Sequence, residues 1–541
     1  MSSYFLKSRP NVDNCNTLAE LLNHRARQDP AHTFAYYKDQ SITLEELEEK
    51  STSVASSLIS QGLGEGQKVA IISHSSIDYL IYEFGILKSG AVCVPVNCLL
   101  KQHELSYLIE NADVVLAILH ASYLQEFLQS QESARNKIPY YVIEGEDVVE
   151  KSHSAANLLQ PTASSSPAPD LDLEDPCLIL YTSGTTGAPK GVVYENYAMV
   201  PHHGETYVQQ MMDVIELGPE DTTYLPFALY HVLGQVHVVG ALRNGGRIAL
   251  AERFSASQFW NDVKRYNATV LVHQGASIPL LLKQPANPDL DRRHSVRLTV
   301  GAGVPNEETW KAFEERFGVK VYEHYAQTEG AFFGAGTMPT NRVGTIGLPY
   351  PSAEVRLVDS SDEDLTNKGE AGQLVSRLKP GYAKKTPEKL YYKDVEGKGV
   401  SRFTRDGWFR SGDVVRIDRE GYLHYVGKVE TFIRYRGENI SPLQIESVLA
   451  KHPSIEECIA IGVPNPEFGG DDIKVVIAPR RGSTLTPQEL ISWCEEALPR
   501  FMLPRYVEFV QELKKTEQTK KIMRSDYREN SSETWDRLQR K

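Results

Sequence analysis

A loop rich in glycine, serine and threonine is the strongest chemical signal in the sequence. It follows an apolar strand pattern at residues 177–181 and reads Thr-Ser-Gly-Thr-Thr-Gly-Ala-Pro-Lys-Gly over residues 182–191. Small residues let backbone N–H groups approach an anion closely, the hydroxyls add donors, and Lys190 adds a positive charge. This composition is that of a triphosphate cradle, although the loop lacks the Gly-Lys-Ser/Thr ending of a P-loop.

Six further segments, in order along the chain, carry glycine, aromatic, acidic or lysine residues at characteristic spacings. They lie at residues 225–234, 301–305, 325–329, 408–413, 427–442 and 515–522. Together with the loop they resemble the motifs of the adenylate-forming superfamily, which includes acyl-CoA synthetases, peptide synthetase adenylation domains and firefly-type luciferases. The resemblance runs from about residue 15 to about residue 528.

The resemblance implies an ATP and Mg²⁺ site. Tyr325 offers a ring on which adenine stacks, Asp413 accepts hydrogen bonds from the ribose hydroxyls, and Glu329 with Thr186 binds Mg²⁺, a cation that prefers carboxylate, hydroxyl and phosphate oxygens. The residues implied to bind the nucleotide are Thr182, Ser183, Gly184, Thr185, Thr186, Gly187, Lys190, Gly301, Ala302, Gly303, Tyr325, Ala326, Gln327, Thr328, Asp413 and Lys428.

A lysine near the carboxyl terminus is implied to be the electrostatic catalyst of adenylation. It bridges the substrate carboxylate and the α-phosphate and stabilises the developing negative charge. Alignment on Ile522 selects Lys521, whereas counting from Lys515 selects Lys520. Lys521 is preferred because Lys-Ile-x-Arg at residues 521–524 keeps the family spacing.

Several positions depart from the family pattern. Lys428 stands where the family usually has arginine, and an ammonium group cannot offer a bidentate fork to the ribose hydroxyls. Ala326 replaces the usual glycine, and Lys514, Thr519 and Lys520 replace the usual proline and Thr-Gly pair. The positive charge beside the ribose is kept, while the shape of the C-terminal loop is expected to differ.

The acid to be activated is implied to enter a pocket with a polar lining. Its candidate residues are His202, His203, Tyr207, His231, Gln235, Gly301 and Gly303, with His231 also placed among the catalytic residues as a gate. This polarity favours a short or polar acid over a long fatty chain.

The fold predicted for the chain is α/β, with an α+β C-terminal domain. Alternating strand and helix patterns, such as the strands at 68–73 and 114–118, suggest stacked α/β layers, and short strands beyond residue 340 suggest a β-rich subdomain. Capping boxes at 43–46 and 255–258 predict helix starts. The resemblance divides the chain into an N-terminal adenylation domain, 1–429, and a mobile C-terminal lid, 430–541, with a hinge at Glu430 and a pantetheine tunnel at Gly437.

Composition narrows the class of protein. The net charge of −13 argues against a dedicated nucleic-acid binder, and no apolar run reaches 18 residues, so no membrane span is expected. Six scattered cysteines without C-x-x-C spacing predict buried, reduced thiols. With no signal peptide or peroxisomal tripeptide pattern, a cytoplasmic location is expected. A homodimer is typical of the family that the chain resembles, but the sequence itself does not give the oligomeric state.

The function implied is an ATP-dependent carboxylic acid–CoA ligase that forms acyl-AMP and then acyl-CoA. ATP, Mg²⁺, coenzyme A and a small carboxylic acid are the expected cofactor and substrates. Segments at 254–260 and 436–441 are most similar to crotonobetaine/carnitine–CoA ligases, which indicates a branch and not a substrate. The alternatives are acyl transfer to a carrier protein or amine, oxidation of the adenylate as in luciferases, and a nucleotide-binding scaffold with weak or no catalysis.

Overall fold

The structure is a computed structural model, and it describes most of the chain. The described residues are 15–132, 134, 137–143, 153–160, 169–182, 189–200, 210–212, 215–275, 277–304, 306–329, 335–337, 342–359, 361–366, 369–379, 403–429, 433–435, 438–465, 470–498, 500–515 and 522–539. By contact density the chain divides into two compact units, Met1–Glu354 with Arg377–Ser401, and Val355–Ser376 with Arg402–Lys541. The boundary predicted between residues 429 and 430 is a different one, because it separates the N-terminal domain from a C-terminal domain that is expected to move. It stays a prediction.

Two mainly parallel sheets form the frame of the first unit within the described residues. In spatial order, the nine-stranded sheet consists of β15 (Leu348–Pro349), β14 (Ala335–Gly336), β13 (Lys320–Tyr325), β12 (Leu298–Ala302), β11 (Val270–Gln274), β9 (Thr222–Leu225), β10 (Arg247–Leu250), β1 (Thr33–Tyr37) and β2 (Gln40–Thr43). The six-stranded sheet consists of β6 (Tyr140–Ile143), β5 (Val114–His120), β3 (Lys68–Ile72), β4 (Val92–Pro95), β7 (Pro176–Thr182) and β8 (Lys190–Glu195). The layered α/β architecture is as predicted.

Helices cover these sheets. They are α1 (Leu18–Gln28), α2 (Leu44–Ser60), α3 (Ile77–Lys88), α4 (Gln102–Asn111), α5 (Leu124–Glu132), α6 (Asn196–Met199), α7 (Val232–Asn244), α8 (Phe259–Arg265), α9 (Ser277–Leu282), α10 (Pro288–Asp291) and α11 (Glu307–Phe317). The capping box at Thr43 and Glu46 starts α2 as predicted, with both reciprocal hydrogen bonds formed. The one predicted at Ser255 does not form, because α8 begins only at Phe259 and no side chain caps it.

The described part of the second unit is built mainly on strands, together with two α-helices. A four-stranded sheet contains β16 (Ala353–Val358), β17 (Ala371–Leu378), β18 (Phe409–Ile417) and β19 (Leu423–Lys428), and β18 runs antiparallel to both of its neighbours. A hairpin, a second sheet and the helices follow as β20 (Ile433–Tyr435), β21 (Glu438–Ile440), α12 (Pro442–Leu449), β22 (Ile455–Asn465), β23 (Gly470–Pro479), α13 (Pro487–Ala497), β24 (Tyr506–Phe509) and β25 (Trp535–Asp536). Buried aliphatic side chains from this part, including Ile445, Val475 and Leu490, form one hydrophobic cluster.

Two composition-based expectations can be compared with the structure. All six cysteines are free thiols, as predicted, and four of them are buried, whereas Cys98 and Cys458 are partly exposed. None of the helices in the described part of the chain is long and apolar enough to cross a bilayer.

A carboxylic acid is buried in the interior of the first unit. Glu83 on α3 is 2% exposed, and burial raises its pKa from the ordinary 4.5 to about 8. Its Oε1 accepts a hydrogen bond of 2.7 Å from Gln235 Nε2, which favours the charged form but does not offset the cost of burial. Glu83 is therefore mostly protonated at neutral pH.

This burial predicts a pH dependence of stability. The protonated form is favoured in the folded state, so the stabilisation is complete below the unfolded pKa near 4.5 and is lost as pH rises through about 8. We expect the free energy of unfolding of the natural protein, relative to Glu83→Gln, to fall by roughly 4 kcal/mol over that range. Urea unfolding at a series of pH values measures the difference. Glu315→Gln, at an exposed position of α11, is the control and should give a flat difference; a flat difference for Glu83→Gln would contradict the prediction.

Candidate active site

Three neighbouring parallel strands bring the predicted glycine segment and the tyrosine motif to one edge of the large sheet. Strands β11, β12 and β13 are adjacent, and their register pairs His273 with Gly301 and Gly301 with Glu323. Ala302 ends β12 and Tyr325 ends β13. The carboxyl ends of parallel strands are the usual place for a ligand in open α/β sheets. The edge formed by residues 301–303 and 325 is therefore a well-placed candidate site.

Gly301 fills a position that no larger residue can occupy. A Cβ on Gly301 would lie 1.8 Å from the carbonyl oxygen of His273 and 2.9 Å from Cγ of the same residue. Gly303 has φ +95°, in the region that favours glycine. The glycines thus let β11 and β12 approach closely and let the chain turn sharply at the end of β12.

The buried carboxylate of Glu323 fixes that turn. Its Oε2 accepts a hydrogen bond of 3.0 Å from the Gly303 amide, and its Oε1 accepts one of 2.8 Å from the Val304 amide. Hydrogen bonds to a charged acceptor are stronger than neutral ones, so this pair orders the backbone beside the site. Sequence analysis missed Glu323, although its position two residues before Tyr325 on the same strand was a signal for it.

The phosphate loop is held at its two ends by a strand pair. Strand β7 pairs antiparallel with β8, with Thr182 opposite Lys190. Of the residues between them, 183–188 lie outside the described part of the chain, so the roles of Ser183, Gly184, Thr185, Thr186 and Gly187 stay predictions. The structure therefore fixes where the loop leaves and rejoins the smaller sheet.

A tyrosine that sequence analysis missed connects this loop to the tyrosine motif. Tyr194 lies on β8 beyond Lys190, and its hydroxyl donates a hydrogen bond to the backbone carbonyl of Thr328. Burial, and then the nearby charge of Glu329, raise the pKa of Tyr194 well above its ordinary value, so the hydroxyl keeps its proton. The alternation along β8, which buries Tyr194, was the available signal. The contact joins the strand that carries Lys190 to the segment that carries Glu329.

The segment after β13 keeps its polar side chains at the same edge. Gln327 Nε2 donates a hydrogen bond of 3.2 Å to the Tyr325 hydroxyl. Tyr325, Ala326, Gln327, Thr328 and Glu329 are all partly exposed, as groups that contact a ligand must be. Glu329 offers the hard carboxylate oxygens that Mg²⁺ prefers, so its chemistry fits the predicted metal role.

Two residues of the predicted acyl pocket lie at the start of α7. His231 is the residue before the helix, its ring lies 4.6 Å from that of Tyr230, and burial lowers its pKa. The amide of Gln235 instead donates to Glu83 at 2.7 Å and to the Leu229 carbonyl at 2.6 Å. His231 is thus a neutral group near a helix start, whereas the Gln235 amide is committed to an internal contact. His202, His203 and Tyr207 lie outside the described residues, so their roles stay predictions.

The second unit contains the predicted ribose residues. Asp413 is 3% exposed and pairs in register with Lys428, whose Nζ lies 3.9 Å from Asp413 Oδ1. The Tyr425 hydroxyl donates to the same oxygen at 3.5 Å, and Ser411 Oγ accepts from the Asp413 amide at 3.0 Å. Lys428 therefore keeps the positive charge beside the carboxylate without the fork of an arginine. Glu430, Gly437, Lys520 and Lys521 lie outside the described residues, so their roles stay predictions.

Replacement of Gly301 tests the close strand approach. We expect Gly301→Ala to lower the free energy of unfolding by roughly 3 kcal/mol or more, because the new methyl group would overlap backbone that cannot rotate away. Gly218→Ala is a matched control, since a Cβ at Gly218 meets nothing within 4 Å, and its effect should stay within about 0.5 kcal/mol. Urea unfolding of both variants measures the difference; equal midpoints would show that β11 and β12 tolerate the methyl group.

Comparisons with known proteins agree with this arrangement. The sequence profile of the AMP-binding enzyme family matches residues 22–384, and that of the AMP-binding enzyme C-terminal domain matches residues 444–520. Crotonobetaine/carnitine–CoA ligase of Salmonella choleraesuis (strain SC-B67) is 28% identical over 471 residues, covering 85% of this chain and 88% of that protein. The Escherichia coli O8 (strain IAI1) protein of the same name is 28% identical over 481 residues, covering 86% and 89%.

Solved structures show the same fold. ATP-bound MatB from Rhodopseudomonas palustris superimposes with a TM-score of 0.81 at 22% identity, covering 95% of this chain and 98% of that one. The anthranilate CoA ligase AuaEII in complex with anthranoyl-AMP gives a TM-score of 0.78 at 23% identity, covering 98% of each chain. The predicted α/β class, with a large N-terminal and a small C-terminal domain, is confirmed. Because its sequence matches the family profile over more than half its length, the chain belongs to the AMP-binding enzymes of the adenylate-forming superfamily.

Proposed function

We propose that the chain is an ATP-dependent carboxylic acid–CoA ligase. The observation that carries the proposal is the hydrogen bond from Tyr194 to Thr328, because it holds the strand of Lys190 against the segment of Glu329. A cationic phosphate contact and a carboxylate for Mg²⁺ are then fixed relative to each other beside the Gly301 edge. The relatives at 28% identity, which match over most of both chains, are named as CoA ligases. Their names support the same class of reaction for this chain.

In the first half-reaction, a carboxylate oxygen of the acid attacks the α-phosphorus of ATP. The bond from that phosphorus to the bridging β-phosphate oxygen breaks, and pyrophosphate leaves with its electron pair. Thr182, Lys190 and the loop between them bind the phosphates, and Tyr325 packs on adenine. Glu329 and Thr186 would hold Mg²⁺ through side-chain oxygens, and the bound ion would neutralise phosphate charge. Lys521 stabilises the charge that develops between the carboxylate and the α-phosphate.

In the second half-reaction, the thiol of coenzyme A attacks the carbonyl carbon of the acyl-AMP. The thiol loses its proton, the C–O bond to phosphate breaks, and AMP leaves. We assign the change between half-reactions to rotation of residues 430–541 about Glu430, with Gly437 lining the path of the pantetheine arm. Asp413 and Lys428 hold the ribose hydroxyls by a carboxylate and a single ammonium group.

Isotope exchange between pyrophosphate and ATP tests the first half-reaction. We expect exchange that depends on an added acid, measured across a panel of short, polar, aromatic and long-chain carboxylic acids. The same mixtures with coenzyme A should yield the thioester, detected by mass spectrometry. Parallel arms supply a phosphopantetheinyl carrier protein, an amine, or oxygen with light detection. Exchange without a CoA thioester, but with transfer in another arm, would overturn the CoA assignment, and no exchange with any acid would identify a scaffold.

Separate alanine variants of the two adjacent lysines test the assignment of the catalyst. We expect Lys521→Ala to lower the rate of adenylation by 10²-fold or more, a loss of about the size seen when one electrostatic stabiliser is removed. Lys520→Ala is the matched control and should stay within a few fold. Thioester formation from added acyl-AMP should survive in both variants, since it does not need the adenylation lysine. A larger loss in Lys520→Ala would reverse the assignment.

A further inference from the structure

Three histidines are buried together behind the carboxyl ends of β11 and β13. His237 lies on α7, His273 is the penultimate residue of β11, and His324 is the penultimate residue of β13, with exposures of 1%, 2% and 4%. They are close enough that the charges of His237 and His273 add to the effect of burial on the pKa of His324, which falls to about 3. We call these three residues the histidine cluster. None of them belongs to the motifs that predicted the site.

The hydrogen bonds of His237 fix which of its nitrogens carries the proton. Its Nδ1 lies 2.8 Å from the carbonyl oxygen of Leu233, and a carbonyl can only accept, so Nδ1 carries the hydrogen. Burial lowers the pKa of His237 to about 4, so the ring is neutral at physiological pH. The Nε2 atom of a neutral ring protonated on Nδ1 is an acceptor. His237 therefore needs a donor at Nε2.

That donor is missing from the described part of the chain. The Nε2 atoms of His237 and His273 are both buried and have no hydrogen-bond partner there. His273 Nδ1 lies 3.0 Å from Thr299 Oγ1, while its Nε2 stays 3.6 Å from Glu323 Oε1, whose carboxylate already accepts two backbone amides. A buried polar atom without a partner costs about 1–3 kcal/mol. Apolar side chains at these two positions would avoid that cost. The presence of His237 and His273 instead is explained if a bound ligand supplies the missing hydrogen-bond partner.

The cluster lies at the same edge as the proposed acyl site. His273 is paired in register with Gly301, and His324 immediately precedes Tyr325. The Nδ1 atom of His324 also lies 3.2 Å from the Tyr350 hydroxyl, so the lining on this side is polar beyond the two unpaired nitrogens. The histidine cluster therefore borders the edge of the sheet at which the acid and ATP are proposed to meet.

We propose that the acid activated by this enzyme carries a hydroxyl group on its chain, and that this hydroxyl donates its hydrogen to His237 Nε2 beside His273 and His324. The inference rests on the proposed function and names its substrate class. A second carboxylate is disfavoured, because the neutral imidazoles of His237 and His324 bring no positive charge to offset its desolvation. A quaternary ammonium group without a hydroxyl is disfavoured as well, because it has no hydrogen to donate to Nε2.

The substrate class is tested on the unaltered protein by pyrophosphate exchange with acids of matched length. The panel contains hexanoic acid, its 3-, 4-, 5- and 6-hydroxy derivatives, adipic acid and 4-(trimethylammonio)butyrate. We expect at least one hydroxy acid to exceed hexanoic acid in kcat/KM by about tenfold or more, since a site built to bind a hydroxyl discriminates strongly against its absence. Hexanoic acid, adipic acid or the ammonium acid as the best substrate would overturn the inference while leaving the ligase assignment intact. No exchange with any acid would overturn both.

Variants of His237 locate the recognition in the cluster. His237→Leu removes the acceptor and should lower kcat/KM for the preferred hydroxy acid about tenfold more than for hexanoic acid. His237→Gln places an amide oxygen near the position of Nε2 and should restore most of the preference. His294→Leu is the matched control, since His294 also has an unpaired Nε2 but stacks on Trp260 at 4.9 Å, and it should leave the preference unchanged. An unchanged preference in His237→Leu would overturn the inference.

Discussion

The hydrogen bond between Tyr194 and Thr328 is the contact on which the arrangement of the site depends. Tyr194 belongs to the six-stranded sheet and Thr328 to the segment that leaves the nine-stranded sheet, so one hydroxyl joins the two layers of the first unit. The residue is 6% exposed, and its hydroxyl keeps its proton. A buried hydroxyl without a partner is costly, so the two sheets have one favoured alignment at this point. This hydrogen bond therefore helps to set the position of Lys190 relative to Glu329.

The interior near this contact contains polar groups at positions where apolar side chains would be more stable. Glu323 and His273 face each other across Gly301, and each occupies a row of a parallel sheet that is normally aliphatic. The cost of burying the Glu323 carboxylate is offset by the hydrogen bonds that it accepts from the backbone amides of residues 303 and 304. His273 has no comparable structural task for its Nε2 atom. Polar residues that conflict with core packing tend to mark functional sites. Glu323 and His273 lie at the candidate site, whereas the polar pair of Glu83 and Gln235 is joined by a hydrogen bond inside the first unit.

Sequence reasoning succeeded where the determining interaction is local. The Thr43 capping box spans three residues, and it starts α2 as its pattern predicts. The apolar runs near 68 and 114 became β3 and β5 because a buried strand is encoded by its own side chains. At Ser255 the same local pattern failed: aromatic residues at the start of α8, Phe259 and Trp260, pack into the core of the first unit, and the helix begins with them. Tertiary packing overrode a capping preference of about 1 kcal/mol.

The site shows the same division. Motifs singled out Tyr325, Gly301 and Asp413 as candidates, because each is recognised by its immediate neighbours in the chain. They could not reveal that Gln235 bonds to a carboxylic acid 152 positions away, or that Tyr194 reaches Thr328 across 134 positions. Such pairings are set by strand order and helix packing, which a single sequence does not specify. The histidine cluster was missed for the same reason, since its three members come from one helix and two strands.

The negative net charge of the chain has to be compared with the local charges near the candidate site. A net charge of −13 is opposed to the binding of ATP, itself an anion. Screening limits exposed charges to about 8 Å at physiological ionic strength, so distant surface acids contribute little at the phosphates. Within that distance the groups that matter are hydrogen-bond donors and the few placed cations. In the first unit Lys190 is the first residue of β8, directly after the predicted phosphate loop. In the second unit Lys428 Nζ lies 3.9 Å from the buried carboxylate of Asp413. The negative net charge is therefore compatible with the proposed binding of ATP, because the attraction of an anion is decided by groups within a few ångströms of it.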